Sequence, residues 1–132
     1  MNLNKEESSI LMVDDETFIQ DIVSRWLHQE NYKCITASSG DQALEIMENQ
    51  KISLVISDIM MPGISGIDLL EHISDQYPDT AVIMLTGVDD RETATKAVEL
   101  GAYGYLIKPV EKNEILINVA GSLRRRELEI MR

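Results

Sequence analysis

The 132-residue sequence has few of the residues that mark several common classes of protein. Its single cysteine, Cys34, excludes an internal disulfide and a cysteine-based zinc site, and fits a reducing compartment. It has only 12 basic residues against 23 acidic ones, and a net charge of -11 disfavours direct binding to nucleic acid, which depends on Lys and Arg. No apolar run is long enough for a signal peptide or a membrane span. These absences predict a cytoplasmic protein without direct contacts to nucleic acid or membrane.

The rest of the composition is that of one ordinary globular domain. Hydrophobic residues make up 44% of the chain and charged residues 27%, which is typical of soluble domains. A chain of this length buries about two-thirds of the surface of its unfolded form. We therefore expect one domain, with no internal repeat, low-complexity segment or linker.

Short apolar runs alternate with helical patterns along the whole chain. The runs at 10–13, 32–37, 54–57, 81–85 and 103–107 predict five strands. The helices between and after them are predicted to begin near Thr17 (as a cap), Asp41, Gly66, Asp90 and Lys112. In the fourth helix the predicted buried face is limited to Ala94, Ala97 and Val98; in the fifth, the inward residues are Leu116, Val119, Ala120 and Leu123.

Strict β–α alternation predicts an α/β fold with a parallel sheet covered by helices on both faces. The expected architecture is a three-layer αβα sandwich with five parallel strands. The second strand is short and partly polar, as an edge strand would be, which favours the order 2-1-3-4-5 of the doubly wound, flavodoxin-like type. In that order, the first and third strands flank the point at which ligands bind.

Carboxylates follow both of these strands. Asp14 and Asp15 come after the first strand, and Asp58 ends the third, so all three are expected at one rim. Two carboxylates about 4 Å apart repel each other by about 4 kcal/mol at an effective dielectric near 20, so a positive charge is needed between them. Hard oxygen ligands without nearby His or Cys favour Mg²⁺ over a transition metal.

Two further side chains are predicted at the same rim. Lys108 follows the fifth strand, and its ammonium together with a divalent cation would neutralise three carboxylates. Such a balanced site is suited to an incoming phosphoryl group that a carboxylate attacks. Thr86 follows the fourth strand, and its hydroxyl would gain a charge-assisted hydrogen bond to a new phosphoryl oxygen.

These residues closely resemble the landmarks of one family. The pair Asp14-Asp15, Asp58 before Met61-Pro62-Gly63, Thr86, and Lys108-Pro109 occur in the order found in the receiver domain of two-component response regulators. The resemblance runs from about Ser9 to Leu123, and no landmark departs from the family pattern.

The resemblance implies a role for each residue. Asp58 would be the phosphoacceptor and, with Asp15, a direct Mg²⁺ ligand, whereas Asp14 would act through a metal-bound water. The Met60 carbonyl would complete the protein ligands, and Mn²⁺ would substitute for Mg²⁺. Lys108 would hold the phosphoryl group, Thr86 would move toward it and Tyr105 would turn inward in response. The Lys108–Pro109 bond would be cis.

The resemblance also implies partners and a mode of action. The phosphoryl donor would be a sensor histidine kinase, a phosphotransfer protein or a small acyl phosphate. The surface formed by the fourth helix, fifth strand and fifth helix would then bind an effector domain, a downstream protein or a second copy. The protein would be a signalling switch that catalyses only its own phosphorylation and dephosphorylation.

Two other classes of protein share part of this pattern. A haloacid-dehalogenase-type phosphatase typically needs a second Asp two residues after its nucleophile, where this chain has Met60. A flavodoxin-like electron carrier needs a phosphate loop rich in Ser, Thr and Gly after the first strand, and the acidic residues 14–16 would repel a flavin phosphate. His28 and His72 fall on predicted helices, away from the strand ends.

The predicted domain organisation has three parts. Residues 1–8 are read as a polar tail, residues 9–123 as the receiver domain, and residues 124–132 as a helical extension without a stop signal. We interpret the extension as a linker toward an effector domain, and the alternative is a single-domain regulator whose last helix frays. The output that the switch controls is not predicted by the sequence.

Overall fold

A computed structural model of the chain describes residues 8–87 and 90–132, so that the predicted polar tail, apart from Ser8, lies outside the described residues. The strands are β1 (Ser9–Val13), β2 (Lys33–Ala37), β3 (Leu54–Asp58), β4 (Ala81–Thr86) and β5 (Gly104–Ile107). The helices are α1 (Thr17–Gln29), α2 (Gly40–Asn49), α3 (Gly66–Gln76), α4 (Arg91–Glu99) and α5 (Lys112–Ile130). The predicted alternation is confirmed, with small differences at the ends of elements.

The five strands form one parallel sheet in the order β2-β1-β3-β4-β5, as predicted. The three interior strands are almost completely buried, which explains their uninterrupted apolar sequences. The edge strand β2 begins with the exposed Lys33 and is only partly buried before Ala37. Its polar character follows from this edge position.

Each face of the sheet packs against its own set of helices. Residues such as Leu11 and Val55 pack with α2, α3 and α4 on one face. Their strand neighbours Ile10, Leu54 and Ile56 point to the other face and pack with α1 and α5. Alternate residues of a buried strand therefore belong to two hydrophobic cores, one in each layer of the sandwich. In the described part of the chain, no helix combines the length and apolar character required to cross a membrane.

Some predictions about individual helical residues are wrong. Helix α1 begins at Thr17, and its N-cap is Glu16 rather than Thr17. In α4, Ala97 is buried, Ala94 is only half-buried and Val98 is 63% exposed. Helix α4 lies near the edge of the sheet, and Ala97 is its buried residue. The helical periodicity of the apolar residues therefore predicts a wider buried face than the structure has.

The buried stripe of α5 is rotated from the predicted one. Ile115, absent from the predicted inward set, is buried, Leu116 is half-buried and Ala120 is exposed. Val119 and Leu123 face inward as predicted. The sequence of α5 offers apolar residues on more than one side of the helix, and only packing against β4 and α1 selects the side that is buried.

Gly66 allows α3 to begin directly against the end of β3. A β-carbon at Gly66 would overlap the carbonyl oxygen of Asp58 and lie 2.6 Å from the Cα of Ile59. The Gly66 N–H donates a hydrogen bond to the Ile59 carbonyl at 2.9 Å. The path of the chain just after Asp58 thus depends on the missing side chain at residue 66.

We expect Gly66→Ala to lower the free energy of unfolding by about 1–3 kcal/mol, because the added methyl group meets backbone that cannot move freely. The measurement is urea denaturation followed by circular dichroism. Gly121→Ala is the matched control: Gly121 lies within α5 with open space around it. There the same substitution should raise stability by about 0.5–1 kcal/mol through helix propensity. Equal effects at the two glycines would contradict the steric explanation.

Candidate functional site

The carboxyl ends of four strands bring the predicted site residues to one rim of the sheet. Val13 pairs with Ser57, which places Asp14 beside Asp58. Asp58 pairs with Leu85, so that Thr86 lies one residue beyond the end of β3. The Lys108 N–H donates to the Thr86 carbonyl at 2.6 Å, which joins the ends of β4 and β5.

Lys108 lies at the centre of this rim. Its Nζ is 3.0 Å from Asp14 Oδ2, 3.0 Å from Glu16 Oε1 and 3.3 Å from Asp58 Oδ2. An ammonium group has three N–H donors, and three carboxylates surround it. With both aspartates and Glu16 ionised, three negative charges face one positive charge, which leaves a net charge of -2 at the rim.

Both aspartates of this group are removed from solvent. Asp14 is 0% exposed and Asp58 is 4% exposed. Burial raises the pKa of Asp58, and the neighbouring Asp14 charge raises it further, while Lys108 and the Met60 N–H act in the opposite direction. Burial lowers the pKa of Lys108, but the surrounding carboxylates of Glu16, Asp14 and Asp58 outweigh this, so that the net shift is upward. Lys108 is therefore a permanent cation at neutral pH.

The geometry around the buried carboxylates fits a divalent cation. Oxygen atoms of Asp14, Glu16 and Asp58 all lie within 4.8 Å of one another. Asp14 Oδ2 is buried and has no hydrogen-bond donor among the described residues, although the Lys108 ammonium is within ion-pair distance. A buried carboxylate oxygen without a donor, in a cluster of net charge -2, matches the hard, doubly charged Mg²⁺. These residues fit the predicted metal.

The structure does not bring all predicted ligands together. Asp15 is exposed in the loop after β1, and its carboxylate is outside the three-residue cluster. The Met60 side chain is 67% exposed, and its N–H donates to Asp58 Oδ1 at 3.3 Å. The assignments of Asp15 and of the Met60 carbonyl as ligands stay predictions.

Two residues that matter at the rim were missed in the sequence. Glu16 takes part in the cluster, and its signal was its position directly after two aspartates. Gln20 is 7% exposed, and its Nε2 donates to the Asp14 carbonyl at 2.6 Å and to Ser38 Oγ at 3.0 Å. Gln20 thereby ties the loop carrying Asp14 to the loop after β2. A single polar residue within an amphipathic helix carries no sequence signal for such a role.

The remaining predicted positions lie as follows. Thr86 is 1% exposed at the end of β4. Tyr105 is partly buried in β5 and packs against the core shared with α4. The Lys108–Pro109 peptide bond is cis, as the resemblance implied. His28 and His72 lie on α1 and α3, as predicted.

The structure is thus a doubly wound α/β domain with an acidic rim at the carboxyl ends of its strands, and comparison with known proteins identifies the family. Residues 10–120 match the response regulator receiver domain family. The chain therefore belongs to the receiver domains of response regulators, the proteins that act in two-component signalling. Receiver domains bind Mg²⁺ at an acidic pocket, and the Asp14–Glu16–Asp58 cluster is the acidic group found here.

Individual relatives agree with this assignment. The chain is 39% identical over 118 residues to the regulatory protein VanR of Enterococcus faecium, covering 88% of this chain and 50% of VanR. It is 32% identical over 124 residues to a cyclic di-GMP phosphodiesterase of Thermotoga maritima, covering 94% of this chain and 33% of that protein. The chain thus spans half or less of these two curated relatives.

Solved receiver domains have the same fold. A receiver domain protein from Clostridium thermocellum superposes with a TM-score of 0.86 at 36% identity, covering 92% of this chain and 98% of that one. A receiver domain protein from Methanospirillum hungatei has a TM-score of 0.88 at 32% identity, with the same coverage. The predicted fold and family are confirmed.

Proposed function

We propose that this chain is a phosphorylation-dependent switch whose phosphoacceptor is Asp58. The observation that carries the proposal is the position of Lys108, whose ammonium lies 3.0 Å from Asp14 and 3.3 Å from Asp58 at the rim. Asp58 ends β3 and is 4% exposed, so that its carboxylate points into a polar site rather than into bulk water. Membership of the receiver family supports the same role.

The proposed reaction is transfer of a phosphoryl group to one oxygen of Asp58. That oxygen attacks phosphorus, a P–O bond forms, and the bond from phosphorus to the donor breaks with its electron pair leaving on the donor atom. With a phosphohistidine donor the P–N bond would break and leave the intact imidazole of the donor histidine, and with acetyl phosphate the leaving group would be acetate. Lys108 would neutralise charge on the transferred group, since its ammonium already lies within ion-pair distance of Asp58.

Mg²⁺ bound at the cluster would supply charge neutralisation and orientation of the phosphoryl oxygens. Asp14, Glu16 and Asp58 are the carboxylates placed to hold it, directly or through water, and Asp15 would join them by a change of side-chain rotamer in its exposed loop. Mn²⁺, which has similar ligand preferences, would substitute.

After phosphorylation, we expect Thr86 and Tyr105 to move and to alter the surface of α4, β5 and α5. Helix α4 buries a single residue, Ala97, and is therefore the least firmly packed of the five helices described. A change of a few kcal/mol at the rim would suffice to shift such an element between two positions. This surface would bind an effector domain, a downstream protein or a second copy.

Incubation with acetyl phosphate and Mg²⁺ tests the proposal. One phosphoryl group per chain should be incorporated, as measured by intact-protein mass spectrometry, and chelation of Mg²⁺ should prevent it. Sustained hydrolysis of many phosphate esters per chain would instead indicate a phosphatase, and a bound flavin absorbance would indicate an electron carrier. Absence of any incorporation would contradict the switch.

Addition of Mg²⁺ to metal-free protein should raise the melting temperature, because the cation binds the folded cluster and not the unfolded chain. A free Mg²⁺ concentration about one hundred times the dissociation constant should stabilise the folded protein by about 2.7 kcal/mol. Differential scanning calorimetry with and without Mg²⁺ measures this. Asp14→Asn should lose most of the Mg²⁺-dependent shift, whereas Asp41→Asn, at the exposed start of α2, should keep it. An equal shift in all three proteins would place the metal elsewhere.

A further inference from the structure

Helix α5 has apolar residues on two opposite faces. Its inner face packs on the sheet through Ile115, Val119 and Leu123, which are at most 1% exposed. The opposite face carries three more large apolar residues that reach solvent: Ile117 is 70% exposed, Leu128 50% and Met131 68%. At 100° per residue these three lie on the side of the helix directed away from the sheet. An exposed apolar face that the domain itself does not cover indicates a site of interaction with another molecule.

The spacing on this outer face is that of a coiled-coil seam. Ile117, Gly121, Arg124, Leu128 and Met131 follow one another at alternating intervals of four and three residues. This 4-3 spacing places them at the a and d positions of heptads, which meet the same positions of a second helix. We call this set of five residues the α5 seam. Gly121 has open space around it, so that a second helix would meet no side chain there.

Two arginines outside the α5 seam hold the second half of α5 against the domain. Arg126 Nε donates a hydrogen bond to the Asp79 carbonyl at 2.5 Å. The Arg125 guanidinium lies 4.1 Å from the centre of the Tyr103 ring. Both contacts lie beyond Leu123, the last fully buried residue of the helix. The second half of α5 is therefore anchored to the domain, and the α5 seam points outward at a defined angle.

We propose that the α5 seam pairs with the α5 seam of a second copy of this chain, as a parallel two-stranded coiled coil. Because the seam lies opposite the sheet, the two domains would sit on the outer sides of the pair without overlapping. Charge favours this partner and this direction. In a parallel pair Glu127 lies opposite Arg132 of the second copy, whereas an antiparallel pair centred on Arg124 would bring Arg125 against the same residue of the second copy.

Arg124 is the one charged residue of the seam. Its guanidinium is 3.5 Å from Glu127 of the same helix, so that its aliphatic stem can pack in the seam while the charge stays paired. A polar residue at such a position fixes the register of a coiled coil and weakens it. The seam extends from residue 117 to residue 131, about 21 Å at 1.5 Å per residue. The net charge of -11 makes two copies repel each other, so that added salt should strengthen the dimer.

The α5 seam is distinct from the α4–β5–α5 surface proposed above, and dimerisation through it does not depend on phosphorylation of Asp58.

Sedimentation equilibrium of the full chain, without phosphoryl donor, is the test. The wild type should show a concentration-dependent dimer. Leu128→Glu should raise the dissociation constant about 100-fold, because two leucines per dimer are lost from the seam. Arg124→Leu should lower it about tenfold or more. Val98→Glu, at a residue 63% exposed on α4, is the control and should leave the dissociation constant of the dimer unchanged.

The proposal is overturned if the wild type and Arg124→Leu both remain monomeric at the highest attainable concentration. It is also overturned if Val98→Glu abolishes the dimer and Leu128→Glu does not, since the dimer then uses the α4 surface. Leu128→Cys in a Cys34→Ser background tests direction: a disulfide between copies supports the parallel pair, and a dimer without one contradicts it. Unchanged circular dichroism of each monomer verifies that the variants are folded. A loss of phosphorylation without a loss of dimer would refute the proposed function alone.

Discussion

Asp58→Asn should take up no phosphoryl group from acetyl phosphate, whereas the wild type takes up one. An amide nitrogen or oxygen cannot replace the carboxylate oxygen as the nucleophile, although the side chain has the same shape. Asp14 does not compensate, because it is fully buried with its Oδ1 hydrogen-bonded to the Glu16 N–H. Intact-protein mass spectrometry after incubation with Mg²⁺ measures the stoichiometry.

The matched control for this variant is Asp75→Asn. Asp75 is exposed near the end of α3 that is remote from the rim, so that the variant makes the same chemical change at a carboxylate outside the site. It should be phosphorylated like the wild type. Wild-type uptake by Asp58→Asn would show that a different residue is the acceptor and would overturn the proposed mechanism.

Asp58→Asn should also unfold at a higher temperature than the wild type in metal-free buffer. The raised pKa of Asp58 means that the ionised carboxylate is less favourable in the folded protein than in the unfolded chain, and asparagine is a neutral group of the same shape. The sign follows from linkage: a group whose pKa is raised on folding destabilises the folded state at pH values above that pKa. A lower melting temperature would instead show that the ion pair with Lys108 outweighs burial and the repulsion from Asp14.

Lys108→Met should be the most destabilising substitution at the rim. Methionine keeps much of the aliphatic length but removes the positive charge between Asp14 and Asp58, which are buried. Removing one partner of a fully buried ion pair costs about 3–5 kcal/mol. The Lys108 side chain is 14% exposed, so solvent screens part of the loss, and we expect about 2 kcal/mol in metal-free buffer. Urea denaturation measures the change.

A second measurement on Lys108→Met separates a charge effect from a packing effect. Without the competing ammonium, Mg²⁺ should bind more tightly and restore most of the lost stability. Lys112→Met is the control, because Lys112 is exposed at the start of α5 and contacts only the Gln29 side chain among the described hydrogen-bond partners. Its stability should change by less than about 0.5 kcal/mol. Failure of Mg²⁺ to stabilise Lys108→Met more than the wild type would contradict the charge explanation.

The alternation of apolar runs and helical patterns was sufficient to predict the strands, the helices and the sheet order. Parallel strands covered on both faces must be apolar throughout, and the polar beginning of β2 identified the edge. The strand order then brought Asp14, Asp58, Thr86 and Lys108 to one rim, because the carboxyl ends of parallel strands share an edge. Local sequence thus contained the fold and most of the site.

The tertiary structure decided which side chains meet. It placed Glu16 in the carboxylate cluster and Asp15 outside it, whereas the sequence had indicated Asp14 and Asp15. The path of the loop after β1 made this choice. It turned Ala120 of α5 outward and Ile115 inward, because periodicity gives the existence of an apolar face but not which face the sheet covers. A local sequence pattern determines whether a segment prefers a helix or a strand. Which side chains of different segments come into contact is determined only when the helices pack against the sheet.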